Sequence, residues 1–302
     1  MSKIFILERL CLIGHIAFIV FGLVGMLLIL PNTAIISNLS EIGQSIMSFG
    51  LVNGGVAYMV FGAIGVFLYA SRLLGLGRAS IFLLSSLSIS LSAELLGTST
   101  GFPFGHYSYL TGLGYKIADL VPFTIPLSWF YLGFVAYLIA RTALEVDKKP
   151  ALLRHVGAIA LGALLLTSWD FVLDPAMSQT TFPFWYWHQP GAFFGMPYQN
   201  FAGWMGTGSL FMTVAALLWG NTPIHLQRPA INSALIVYLS NFGFASVMSL
   251  SAGFPIPVLL GLIMGVSPAI YLWFRIPLKG KVDQLTVIAP ETQVKSVEVA
   301  LK

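Results

Sequence analysis

The chain has 302 residues, of which 57% are hydrophobic and only 9% are Asp, Glu, Lys or Arg. Soluble domains carry roughly 25% charged residues, so this composition excludes an ordinary soluble domain and indicates an integral membrane protein. The net charge of +4 is no nucleic-acid signature, because the basic residues are scattered and form no patch interleaved with aromatics. A single cysteine, Cys11, excludes an intrachain disulfide and any cysteine-based metal or redox motif.

About 20 apolar residues cross a bilayer as a helix. In chain order, eight segments qualify: 10–30, 47–70, 79–96, 120–140, 153–173, 203–220, 230–250 and 255–274. The first is too long for a signal-peptide core and lacks a small-x-small cleavage site, so it is expected to remain as a span. Pro122 and Pro126 are expected to kink or delay the start of the fourth. With eight spans, 14 of the 15 lysines and arginines fall on one side and only Lys116 on the other. The positive-inside rule then puts both termini in the cytoplasm. The expected fold is an all-α membrane domain over 1–274, followed by a flexible cytoplasmic tail over 275–302.

Glu8, Glu145 and Asp147 fall among the basic residues and draw no attention. Glu94, Asp170 and Asp174 instead end spans on the opposite side, each followed by a long connection rich in Gly, Pro and aromatics. These connections are 97–119, "GTSTGFPFGHYSYLTGLGYKIAD", and 175–202, "PAMSQTTFPFWYWHQPGAFFGMPYQNFA". Irregular backbone survives at membrane depth only when buried in protein or lining a cavity. Both connections are therefore expected to fold back as lids, the alternative being an aromatic belt at the headgroups. A weak repeat links them: Glu94 and Asp174 each precede an FPF run, at 102–104 and 182–184, by eight residues.

Asp170 and Asp174 lie four apart and share a helix face. Two close carboxylates in a low dielectric cannot both ionise cheaply, so at least one is expected to hold a proton near neutral pH. A protonated carboxyl facing an apolar cavity is the group needed to protonate an isolated alkene. Asp174 has a competing reading as a helix N-cap ahead of Pro175. Glu94 has one as an ion-pair partner of Lys116. Protonating an alkene leaves a cation, which aromatic faces stabilise; Tyr107, Tyr109, Trp185 and Trp187 in the two connections are placed to do so, with ordinary packing as the alternative. His106 and His188 sit in the same connections, but the five histidines form no HxxxH or HxxHH array, so no metal is expected.

"AELLGTSTGFPFGHYSY", "LVPFTIPLSWF", "WDFVLDPAM" and "FWYWHQPGAFFGMPYQNFAGW" together resemble the CruF-type carotenoid 1,2-hydratases. That family includes cyanobacterial γ-carotene hydratases and haloarchaeal bisanhydrobacterioruberin hydratases. The resemblance covers about 94–204 well and the flanking spans by hydropathy only. It implies addition of water to the terminal 1,2 double bond of an acyclic ψ-end such as that of γ-carotene or a lycopene-like carotenoid, with no cofactor. It also implies a bacterial, cyanobacterial plasma or thylakoid membrane and a product glycosylated downstream toward myxol-type glycosides, with a glycosyltransferase as the following partner. Tyr198 and Asn200 lie in the matching "GMPYQNFAGW"; Asn200 is a candidate for orienting the attacking water, or else a loop-ordering amide. The catalytic candidates are Asp170, Asp174 and Glu94, and the substrate-binding candidates are Tyr107, Tyr109, Trp185, Trp187, Tyr198 and Asn200. Rival readings are a proton-coupled transporter, with Asn232 and Asn241 as path residues, and a non-catalytic carotenoid-binding protein.

Overall fold

The computed structural model describes residues 3–147, 150–180, 183–220 and 223–278. Eight helices in this range are long and apolar enough to cross a membrane. They are α1 (Lys3–Ile29), α2 (Glu41–Leu74), α3 (Leu76–Thr100), α4 (Thr124–Glu145), α5 (Ala151–Gln179), α6 (Tyr198–Trp219), α7 (Arg228–Ser251) and α8 (Pro255–Arg275). Their outer faces expose Leu10, Ile13, Leu84, Leu217, Leu218 and Ile263, a surface suited to lipid. The chain is a multi-pass membrane protein. The proposed tail beyond Leu278 lies outside the described residues.

Local chemistry sets the helix ends. Ser40 caps α2 by accepting from the Gly43 N–H at 3.2 Å. Gly75, with φ of +85°, turns the chain directly from α2 into α3. Gly101, at φ +83°, ends α3 with its N–H bonded to the Gly97 carbonyl. The start of α4 is delayed to Thr124, after Pro122, with Pro126 in its first turn. α4 is the central helix, buried along nearly its whole length and packed against α2, α3, α5, α7 and α8.

Two expectations about helix ends are corrected. α5 continues through Pro175 to Gln179, so Asp174 is an interior helical residue and not an N-cap. α3 likewise runs six residues past Glu94. All three carboxylates therefore sit inside helices, where packing against neighbouring helices supports the last turns. The first connection shifts to 101–123 at unchanged length, and the second shortens to 180–197.

The connections also carry strands. β1 (Tyr107–Tyr109) pairs antiparallel with β4 (Trp185–Trp187), in the register Tyr107 opposite Trp187 and Tyr109 opposite Trp185. β2 (Lys116–Ile117) and β3 (Val121–Pro122) form a second small ladder. Thr181 and Phe182, at the start of the second FPF run, lie outside the described residues.

At the other end of the bundle, acidic residues pair with arginine, Glu8 and Glu145 buried and Asp147 half-buried. Glu8 takes Arg72 at 2.6 Å. Glu145 takes Arg141 at 2.5 Å and Arg154 at 3.4 Å, and Asp147 pairs with Arg275.

Candidate active site

The C-terminal turns of α3 and α5 and the N-terminal turns of α4 and α6 meet around a cavity of about 60 Å³. At about 10–15 Å³ per water, it has room for a few waters. Glu94, Asp170 and Asp174 all line it, and all three are buried. Successive strand residues point to opposite faces, so β1 and β4 turn Tyr107, Tyr109, Trp185 and Trp187 toward the cavity and Ser108 and Tyr186 away.

Each of two carboxylates is gripped by the strand that follows its own helix. Glu94 Oε2 accepts from the Tyr107 hydroxyl and from the Tyr109 hydroxyl at 2.9 Å. Its Oε1 accepts from Trp129 Nε1 at 2.8 Å. Asp174 Oδ1 accepts from Trp185 Nε1 at 2.8 Å and Trp187 Nε1 at 3.1 Å. Its Oδ2 accepts from Asn200 Nδ2 at 3.0 Å. This parallel gives the weak repeat around Glu94 and Asp174 a physical counterpart. Burial, and then the facing Glu94 carboxylate, push the Tyr107 and Tyr109 phenols well above the ordinary tyrosine range, so both keep the proton they donate.

Asp170 differs. Asn200 Nδ2 donates to its Oδ2 at 2.7 Å, and no protein donor among the described residues reaches Oδ1. One amide thus bridges the two aspartates, while one oxygen of Asp170 is left to the cavity. Lys116, the basic residue expected to compete for Glu94, instead donates to the Tyr109 carbonyl.

Eight of the nine residues singled out in the sequence line this cavity. Tyr198 does not: it is 62% exposed at the start of α6 and packs near Phe193 and Phe201. His106 and His188 lie on the outer side of the sheet, with His188 Nε2 within 2.8 Å of Ser108 Oγ. Asn232 and Asn241 lie elsewhere. Asn241 is held in a separate buried network with His15, Tyr58 and Tyr131, and Asn232 accepts from Trp273 Nε1.

Three tryptophans went unremarked in the sequence. Trp129 and Trp204 stack with ring centroids 4.0 Å apart, Trp169 meets Trp204 edge-on at 5.9 Å, and all three line the cavity. Two of them carry a readable signal, an indole N–H inside an apolar span that must find an acceptor: Trp129 donates to Glu94 and Trp169 to the Asn241 carbonyl.

The sequence profile of the family described as "Carotenoid biosynthesis protein" matches residues 54–268. A curated relative, the bisanhydrobacterioruberin hydratase of Haloarcula japonica, is 34% identical over 142 residues, which cover 47% of this chain and 45% of the relative. The chain therefore spans less than half the length of that relative. No solved structure matches the chain significantly. The profile match covers most of the chain, including every residue that lines the carboxylate cavity, and the chain belongs to the carotenoid biosynthesis protein family.

Proposed function

We propose that the chain is a carotenoid hydratase that adds water across the terminal 1,2 double bond of an acyclic ψ-end. The observation that carries this reading is the meeting of three buried carboxylates and a tryptophan stack in one small cavity, with no lysine or arginine among the described residues that line it. The relative named as a hydratase supports the reaction class.

Asp170 is the acid. Asp174 and Glu94 each accept three hydrogen bonds, a number suited to carboxylate anions. Asp170 accepts one and turns an oxygen to the cavity, where a carboxyl O–H can reach the alkene. Its proton goes to C2, the π pair forms the new C–H bond, and C1, with its two methyl groups, becomes a tertiary cation. The Trp129–Trp204 stack and the two anions stabilise that cation. Water adds to C1, loses a proton to the aspartate pair bridged by Asn200, and so restores Asp170. This is general acid catalysis by a positioned carboxyl. The apolar end reaches the cavity from the bilayer as Met59, a flexible side chain in its wall, moves aside. The product's tertiary hydroxyl is the acceptor that a following glycosyltransferase requires. By the distribution of Lys and Arg, the cavity faces the non-cytoplasmic side, with the strand-bearing connections as its lids.

The test is expression in a host that accumulates γ-carotene or an acyclic carotenoid. The expected product is heavier by one water, carries ¹⁸O from labelled water and acquires one deuterium at C2 in D₂O. Unaltered pigment, with the protein present in the membrane, would overturn the reading; pigment that copurifies unchanged would mark a binding protein instead.

A further inference from the structure

The reaction consumes water in a small cavity with room for only a few waters, so the supply of that water is a separate structural problem. On the far side of the β1–β4 sheet lies a second, larger pocket of about 510 Å³. Its lining is hydrophilic where the first is apolar: Thr100, His106, His188, Gln189 and Gln199 contribute polar side chains, and all five are exposed. One residue belongs to both linings. Trp187 closes the inner cavity and also walls the outer pocket.

Resting on the hydratase reading, we infer that the outer pocket is the water vestibule of the enzyme and that the Trp187 indole is the partition through which single waters pass to the cation. The partition is held in place but not locked. Its Nε1–H reaches Asp174 Oδ1 at 3.1 Å, the longer of the two indole bonds to that atom. Its ring leans on Tyr107 at 5.2 Å between centroids. Gly105 and Pro197 complete the wall: a Cβ on Gly105 would stand 2.8 Å from Pro197 Cγ and 3.2 Å from Trp187 Cζ3. The strand alternation that turns Trp187 inward turns His188 and Ser108 outward, where they bond to one another, so one ladder presents an acid-binding face to the cavity and a wettable face to the vestibule. Water and carotenoid thus arrive from opposite sides. An isolated cation is exposed to one water at a time, which limits deprotonation by bulk solvent.

Cysteine labelling of the full chain in membranes tests this. Cys11, the single native thiol, is buried, so wild type serves as the labelling control. Gln189 lines the vestibule and not the inner cavity. Gln189→Cys is expected to hydrate like wild type, to keep its activity with a small S-methyl label, and to lose it with a fluorescein maleimide of bulk comparable to the pocket. The same maleimide at Tyr115→Cys, an exposed site outside both pockets, is expected to leave the rate unchanged. Full activity of the maleimide-labelled Gln189→Cys protein would overturn the vestibule, and so would failure of a water-soluble reagent to reach Cys at position 189. If unlabelled wild type hydrates nothing, the hydratase reading itself fails, and that result is distinct from either.

Discussion

Replacing each aspartate by asparagine separates their roles. Asparagine is a close copy of a neutral carboxylic acid, with one acceptor oxygen and an NH₂ in place of the OH. In Asp170→Asn the amide oxygen can take the 2.7 Å bond from Asn200, and the NH₂ faces the cavity where Oδ1 has no protein donor. Every protein hydrogen bond survives, so the expected stability change is within about 1 kcal/mol. The transferable proton is gone, and the loss of a general acid lowers the rate by about 10²–10⁴-fold. Asp174→Asn behaves differently. Its oxygen can satisfy Trp185 and Trp187 only if its NH₂ sits opposite Asn200 Nδ2, donor against donor at 3.0 Å. Turning the amide over sacrifices both indoles instead. The smaller of these penalties is about 1–3 kcal/mol, so this variant melts lower and also loses activity. The assay pairs thermal unfolding of detergent-purified protein with product quantified by chromatography and mass spectrometry. Wild-type hydration by Asp170→Asn, or a lower melting temperature for Asp170→Asn than for Asp174→Asn, would refute the assignment of the acid.

Other residues give independent tests. Trp204→Leu removes one ring of the stack over the proposed cation; at about 0.5–2 kcal/mol for a cation–π contact, the rate should fall about 2- to 30-fold with little effect on protein level in the membrane. Gly97→Ala puts a Cβ 2.7 Å from Phe104 Cδ2 and 3.2 Å from Tyr107 Oη; the resulting displacement of Tyr107 from Glu94 should cost about 1–3 kcal/mol. Gly206→Ala, a helical glycine with nothing within 4 Å of the added Cβ, should be neutral or stabilising in the same unfolding assay. Tyr107 and Tyr109 are buried with folded pKa values above the ordinary one. Their contribution to stability is therefore full below about pH 10 and declines above it, as the unfolded chain ionises. Thermal unfolding across alkaline pH should show that decline, and Tyr107→Phe with Tyr109→Phe should reduce it.

The eight spans were legible because hydropathy over 20 residues is a strong signal and the Lys and Arg distribution fixes its parity. The strands were not, although "HYSY" and "WYWH" alternate inward aromatics with outward polar groups. Three residues are too few for periodicity to separate strand from loop, and the partner of β1 lies 80 residues away. The competing N-cap reading of Asp174 rests on Asp-Pro being a good helix start, but tertiary packing carries α5 through Pro175. The carboxylates themselves stood out because charge is so rare in this chain. Tyr198 shared a motif with Asn200 but not a helix face: two positions apart on a helix, they point in different directions, and only Asn200 turns to the cavity.

The two ends of the bundle treat negative charge in opposite ways. Glu8, Glu145 and Asp147 are each paired with arginine, which keeps their charge tolerable by direct compensation. Glu94 and Asp174 are held only by indole, phenol and amide donors. Neutral donors stabilise an anion by hydrogen bonding, yet they leave its charge uncompensated over the surrounding space. A cavity for binding a neutral pigment gains nothing from such a field. A cavity in which positive charge appears transiently on carbon gains directly, because the field acts on the transition state and not on the apolar ground state. Replacing one of these neutral donors by a cation should therefore suppress the reaction. Trp129→Arg, which points a guanidinium at Glu94 from the same helix position, would slow hydration more than Trp129→Phe even where it binds the carboxylate better. Equal rates for the two variants, at equal protein in the membrane, would show that the field at Glu94 does not serve the chemistry.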